Sequence, residues 1–143
     1  MTYADSSFLV SLYVEDSNTA TSKNYLAKNA YTVALTIFSK SEAEHAIRTM
    51  AFRKRITIGE MTQGLLYFER DLEKGIYQLI ALENGNLFQR ASQLSHRYAQ
   101  EFGVRYLDML HIAAALLVGA TRFLTFDARQ GKLAKAVGLQ VKP

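Results

Sequence analysis

Hydrophobic residues along this chain follow two periods in turn. Short runs rich in β-branched and aromatic residues predict strands at 2–5, 31–38, 76–82, 122–126 and 139–141. Between them, apolar residues recur three and four positions apart, the spacing of an amphipathic helix. Helices are therefore expected over 6–14, 19–29, 39–55, 60–74, 84–102 and 128–137, with one more from Tyr106 that Gly119 stops. Phe8, Leu9, Leu12 and Tyr13 form the inner face of the first, and Tyr25 and Leu26 that of the second. Leu87, Ala91, Leu94, Tyr98 and Phe102 mark one face of the longest. In the helix from Tyr106 the expected apolar row is Leu107, Leu110, Ala114 and Leu117. The run at 31–38 is apolar almost throughout, which places it at the centre of a sheet covered on both faces.

Strands and helices alternate, with connections long enough for crossovers. That order predicts a three-layer α/β/α fold around a central, mostly parallel sheet of four to five strands. At 143 residues, one domain spanning 1–143 is expected. A hydrophobic fraction of 49% against 21% charged residues fits a folded chain and argues against disorder. No apolar run reaches membrane-spanning length, and the first ten residues lack the basic start of a signal peptide, so a cytoplasmic protein is expected. The absence of cysteine removes disulfides, thiolate metal sites and cysteine nucleophiles. Any metal must then be held by oxygen or imidazole, which favours Mg²⁺ or Mn²⁺. A net charge of +4 permits a polyanionic partner without requiring one.

Three aspartates stand where strands end or helices begin: Asp5, Asp108 and Asp127. Glu42 lies in the first turn of the helix after the central strand. A parallel sheet gathers its strand carboxyl ends on one edge, so four acids far apart in sequence can meet there. Clustered carboxylates repel unless a cation neutralises them or some keep their protons. Such an oxygen-only cluster suits Mg²⁺ or Mn²⁺, which can activate water and stabilise the oxygens of a phosphodiester. Each acid also has a plainer reading. Asp5 and Asp127 suit helix N-caps, Asp108 suits the positive end of a helix, and Glu42 forms a capping-box pattern with Ser39. Glu44 rivals Glu42, but Arg48 follows it at ion-pair spacing, whereas Glu42 shares a row with Ala46 and Met50.

The remaining candidates are open in the same way. His111 lies one turn after Asp108, facing either the same cleft or the core. His45 and His96 sit in polar surroundings and are expected at the surface. Residues 48–55 mix cations with Phe52, so Arg53 and its neighbours suit either RNA phosphates or a solvated helix end. Arg129 and Lys132, beside Asp127, are candidates for substrate phosphate or plain surface charge. Leu65, Leu66, Tyr67 and Phe68 read as core or as a partner contact. No Gly-rich phosphate loop of either nucleotide type occurs.

Three stretches, ADSSFLVSLYVED, LTIFSKSEAEHAIRTMAFRKRIT and YLDMLHIAAALLVGATRFLTFDARQ, resemble the PIN-domain family, and most closely its VapC-type ribonuclease toxins. The resemblance spans nearly the whole chain and places four acids in order: Asp5, Glu42, Asp108 and Asp127. It implies a PIN fold, a Mg²⁺- or Mn²⁺-dependent endoribonuclease, a homodimer, and a VapB-type antitoxin whose tail blocks the site. It implies metal binding by the four acids, directly or through water. Ser6, Ser7 and Thr125 are expected to orient the acids as supporting hydroxyls, with helix capping the more natural role for Ser7. The expected reaction is attack of water on a phosphodiester of single-stranded RNA, leaving a 5′-phosphate. A non-catalytic PIN-like binding module and another carboxylate-metal hydrolase, such as a phosphatase, are the competing readings.

Overall fold

A computed structural model describes residues 1–29 and 32–143. Five strands are formed by the described residues: β1 (Thr2–Ala4), β2 (Val33–Leu35), β3 (Tyr77–Leu79), β4 (Arg122–Leu124) and β5 (Gln140–Lys142). They build one parallel sheet in the order β3-β2-β1-β4-β5. Side chains alternate across it, as a pleat requires. Tyr3 and Phe123 point to one face, where they meet α5 (Asn84–Phe102), α6 (Tyr106–Leu117) and α7 (Ala128–Ala136). Ala4 and Leu124 point to the other, against α1 (Ser6–Tyr13), α3 (Ile37–Phe52) and α4 (Ile58–Glu73); α2 (Thr19–Lys28) packs on α1. The three-layer α/β/α architecture is thus the one the alternation predicts, with every strand parallel.

Register decides what meets at the carboxyl edge. Ala4 pairs with Leu124, and Tyr3 with Ala34. One step further, Asp5 therefore lies between Thr36, just past β2, and Thr125, just past β4. The Asp5 N–H donates to the Leu124 carbonyl at 3.1 Å, holding that row in place.

Several boundaries differ from the sequence pattern. The central strand stops at Leu35 instead of Phe38; Tyr31, its expected first residue, lies outside the described residues. Thr36 caps α3 together with Ser39, so Ile37 and Phe38 enter the helix despite their β propensity. That reciprocal cap replaces the one expected between Ser39 and Glu42, and it leaves the Glu42 carboxylate available. Thr57 and Glu60 form the same device one helix later, which draws Ile58 and Gly59 into α4. The strands at 76–82 and 122–126 also shorten to three residues each. In α6, Leu107 and Leu117 are exposed, and the buried set is Met109 to Ala115. Two hydrophobic faces are filled there, so the short residues Ala113, Ala114 and Ala115 carry the packing in place of a leucine row.

α4 approaches α1 closely at Gly64. A Cβ built there would sit 2.8 Å from the Tyr13 carbonyl oxygen, with Val14 beside it. Backbone cannot yield cheaply, so Gly64→Ala should destabilise the protein. Overpacking of about 1–3 kcal/mol exceeds the gain of roughly 1 kcal/mol that alanine brings to a helix interior. A lowered urea midpoint with unchanged slope checks this. The neighbouring ring contacts of Phe68 with Tyr13 and Tyr77, and the 2.6 Å hydrogen bond between the two tyrosine hydroxyls, fix where α4 sits.

Candidate active site

Asp5 is the buried member of the acidic group, 2% exposed at the end of β1. Its Oδ1 accepts the Phe8 N–H at 2.9 Å, capping α1, and the Ser7 hydroxyl at 2.8 Å. Its Oδ2 accepts the Thr125 hydroxyl at 2.6 Å. Burial raises the carboxyl above the usual range; nearby His111 and the hydrogen bonds from Thr125, Phe8 and Ser7 offset only part of that. Ser7 does more than cap a helix. It also accepts the Phe126 N–H at 3.0 Å, so it ties the chain after β4 to the acid after β1.

Asp127 follows two residues after Thr125. Its N–H donates to the Thr125 hydroxyl at 2.9 Å, and its Oδ1 caps α7 by accepting the Gln130 N–H at 2.8 Å. Gln130 is buried, and its amide donates to the Asp108 carbonyl at 3.2 Å. The start of α7 is thereby linked to the start of α6. Asp108 accepts the Arg105 N–H at 3.1 Å. Its carboxyl is raised by partial burial first, and further by the charges of Asp127 and Glu42; the Arg105 N–H and His111 act in the opposite sense.

Glu42 reaches the same edge from α3. His111 Nε2 and Glu42 Oε2 are 2.5 Å apart, and His111 Nδ1 lies 3.1 Å from the Tyr3 hydroxyl. Desolvation pushes the Glu42 carboxyl up, but its hydrogen bonds with His111 and Ser6 and the charges of His111 and His45 outweigh it, so the carboxyl lies below its ordinary value. Glu44 points elsewhere and pairs with Lys40 and Arg48. Between the two rival acids, only Glu42 shares the edge with the aspartates. His111 is 1% exposed, with the Phe38 ring packed on it at 4.6 Å between centroids. It is both a core histidine and a partner of an acid, a combination that the sequence presented as alternatives.

The plain capping roles of Asp5, Asp108 and Asp127 are therefore all realised. Each cap uses one carboxylate oxygen; Oδ2 of Asp127 and Oδ1 of Asp108 accept no hydrogen bond among the described residues. None of the three aspartates has an ion-pair partner among those residues either. Among them, no group of three or more His, Cys, Asp or Glu residues lies close enough to hold a metal ion. The acids share one edge, and the charges of Asp127 and Glu42 raise the Asp108 carboxyl, without the group being gathered to ligand distance. Their chemistry still fits a hard divalent cation: oxygen donors with spare lone pairs, two carboxyls raised by burial, and three aspartates without an ion-pair partner among the described residues.

Of the basic candidates, Lys132 lines an open cleft of about 380 Å³ with Asp127, Thr125 and Lys135. Arg129 is exposed in the first turn of α7. Arg53 stands eleven residues beyond Glu42 at the far end of α3, roughly 16 Å away at 1.5 Å per residue, so the structure does not bring it to the acids. Phe52 beside it is 86% exposed. Phe68 is core, whereas Leu66 and Tyr67 face outward. His45 and His96 are exposed, as expected. Tyr3, Thr36 and Gln130 carry parts of the site that the sequence reading did not single out. Their only signal was position, next to strand ends or inside an otherwise apolar run.

A family model of the PIN domain matches residues 2–136. No curated protein matches the sequence. Similar solved structures include VapC20 of Mycobacterium tuberculosis, described as a sarcin-ricin loop cleaving toxin. It is 16% identical, with each chain covered in full and a TM-score of 0.72. FitAcB of Neisseria gonorrhoeae is 14% identical, with 100% of this chain and 97% of that one covered and a TM-score of 0.65. PAE2754 of Pyrobaculum aerophilum is 16% identical, with 98% and 87% covered and a TM-score of 0.63. At these identities the likeness is one of fold.

Proposed function

Because the chain belongs to the PIN-domain family, we propose that it is a Mg²⁺- or Mn²⁺-dependent endoribonuclease of the VapC toxin type. The observation that carries this reading is the convergence of Asp5, Glu42, Asp108 and Asp127 on one sheet edge, where Asp108 feels both Asp127 and Glu42. The four carboxylates would hold the cation, which supplies activation of water and neutralisation of charge on the phosphodiester. Thr125 and Ser7 orient Asp5, Gln130 ties the Asp108 turn to the Asp127 turn, and Ser6 and His111 orient Glu42. Lys132, in the cleft beside Asp127, and Arg129, two residues after that acid, would steer phosphate toward it, while Arg53 is too distant for that role. The substrate is a single-stranded region of RNA, cut to leave a 5′-phosphate. A VapB-type antitoxin and a second copy of the chain are the proposed partners, and the cytoplasm the proposed location. Among the described residues no helix is long and apolar enough to cross a membrane.

The test is cleavage of a panel of structured and unstructured RNAs with Mg²⁺ or Mn²⁺. Cutting should stop on chelation and resume on adding the metal back. A non-catalytic PIN-like module is the competing reading, and the realised caps at Asp5, Asp108 and Asp127 favour it. Calorimetric titration with Mn²⁺ separates the two, since the module would bind no metal near millimolar levels.

His111 supplies a further prediction. Replacing it with leucine removes the hydrogen-bond partner of Glu42 while filling similar space. Loss of such supporting groups typically costs about 10–100-fold in metal affinity or activity. We expect a drop of that size in Mn²⁺ affinity, with the circular dichroism of a folded protein retained. An unchanged titration would show that Glu42 needs no help from α6.

A further inference from the structure

A cavity of about 400 Å³ opens at the same carboxyl edge, beside the acids. Phe38, Phe88, Leu82 and Leu110 form its walls, and Thr36 and Asn84 contribute polar atoms. Among the described residues no charged one lines it. Phe38 links it to the acids, since its ring also packs on His111, the partner of Glu42. Thr36 belongs to both sides: it lines the cavity and stands in the row of strand ends next to Asp5.

We propose that this cavity takes one unstacked nucleobase of the RNA, next to the phosphodiester that lies at the acids; the proposal rests on the nuclease reading above. Three features select a base. The walls are aromatic and aliphatic, as base-stacking sites are, and Phe88 among them is 49% exposed. The lining is uncharged, which suits a neutral planar ring and excludes phosphate as the occupant. The volume matches a small-ligand site. The Asn84 amide lines the cavity and offers both a donor and an acceptor for the edge of the base, which would give the enzyme a preference at that position.

The experiment uses the full chain carrying Asp5→Asn, so that RNA binds without being cut. Single-stranded oligoribonucleotides with 2-aminopurine at one position are scanned across the sequence that the wild type cleaves. Stacking should quench the probe at one position beside the cleaved bond. Adding Phe88→Ala should abolish that quenching and weaken binding about 5- to 150-fold, the equivalent of a stacking contact of about 1–3 kcal/mol. Phe88 is half exposed, and an unchanged melting temperature shows that the fold survives the change. Equal quenching and affinity with and without Phe88→Ala overturn the proposal. So does a change in oligomer mass without a change in RNA binding, which would make the cavity a protein contact. If wild-type protein cleaves RNA while the cavity variant behaves normally, only this inference fails. If the protein neither cuts nor binds RNA, the nuclease reading falls and takes this one with it.

Discussion

Asp5→Asn should lower metal-dependent RNA cleavage by more than about 100-fold and, without metal, make the protein more stable. The first effect follows from position. Removing a group that merely supports a metal ligand costs about 10–100-fold, so removing a ligand itself should cost more. The second follows from burial. Once ionised, Asp5 holds its charge in a nearly sealed site, and its hydrogen bonds do not fully offset the lost hydration. Asparagine keeps an oxygen for the Phe8 N–H and the Ser7 hydroxyl, and the Thr125 hydroxyl, freed from the carboxylate, can donate to Gln130 Oε1 at 3.1 Å. We expect a gain of roughly 0.5–2 kcal/mol, the size that a single stabilising substitution commonly yields.

The pH dependence gives this prediction its sign. A carboxyl raised on folding holds its proton more tightly in the native state than in the unfolded chain. At a pH below the ordinary carboxyl range, near 3, both states are protonated and the variant gains little. As pH climbs from there through the raised native value, the unfolded chain releases its proton first and the wild type loses stability relative to the variant. The gap should be full once the native carboxyl has ionised. Urea melts of the two proteins at several pH values read it directly, and a gap that closes toward neutrality would contradict the burial argument. Saturating Mn²⁺ should then reverse the order. A ligand at 100 times its dissociation constant stabilises the native state by about 2.7 kcal/mol, and only the wild type would gain it in full.

Asp5, Asp108 and Asp127 were legible in the sequence because each stands at a strand end or a helix start, and those places depend on local pattern. The layering was legible for the same reason, since alternating strands and helices with long connections admit few arrangements. Glu42 was harder, because choosing it over Glu44 needs to know which face of α3 looks toward the sheet. The Thr36–Ser39 cap sets that face, and Thr36 lay hidden inside a run that read as continuous strand. Side chains that meet across the sheet left no local trace. Thr125 and Asp5 are 120 residues apart and become neighbours only through strand register. The leucine row of α6 misled for a different reason: period alone cannot tell a helix buried on most sides by alanines from one buried along a stripe.

Tyr3→Ala should be among the most destabilising single changes in the chain, costing about 3–5 kcal/mol, as truncation of a fully buried aromatic does. The ring stacks on Phe123 at 5.8 Å and meets His111 edge-on at 6.0 Å, so its loss opens a void between the sheet and α6. Against a typical total of 5–15 kcal/mol, and at roughly 2–4 °C per kcal/mol, the melting temperature should fall by about 6–20 °C. Tyr3→Phe separates the two jobs of this residue. It keeps the stacking but removes the hydroxyl that lies 3.1 Å from His111 Nδ1, leaving a buried nitrogen unpaired at a cost of about 1–3 kcal/mol. His111 is the partner of Glu42, so the phenylalanine variant should also bind Mn²⁺ more weakly although its core is filled. If it melts slightly lower but titrates like wild type, the hydroxyl serves packing alone and the chain Tyr3–His111–Glu42 ends at the histidine. If both shift, the side chain that anchors the centre of the sheet also holds the second acid at its edge.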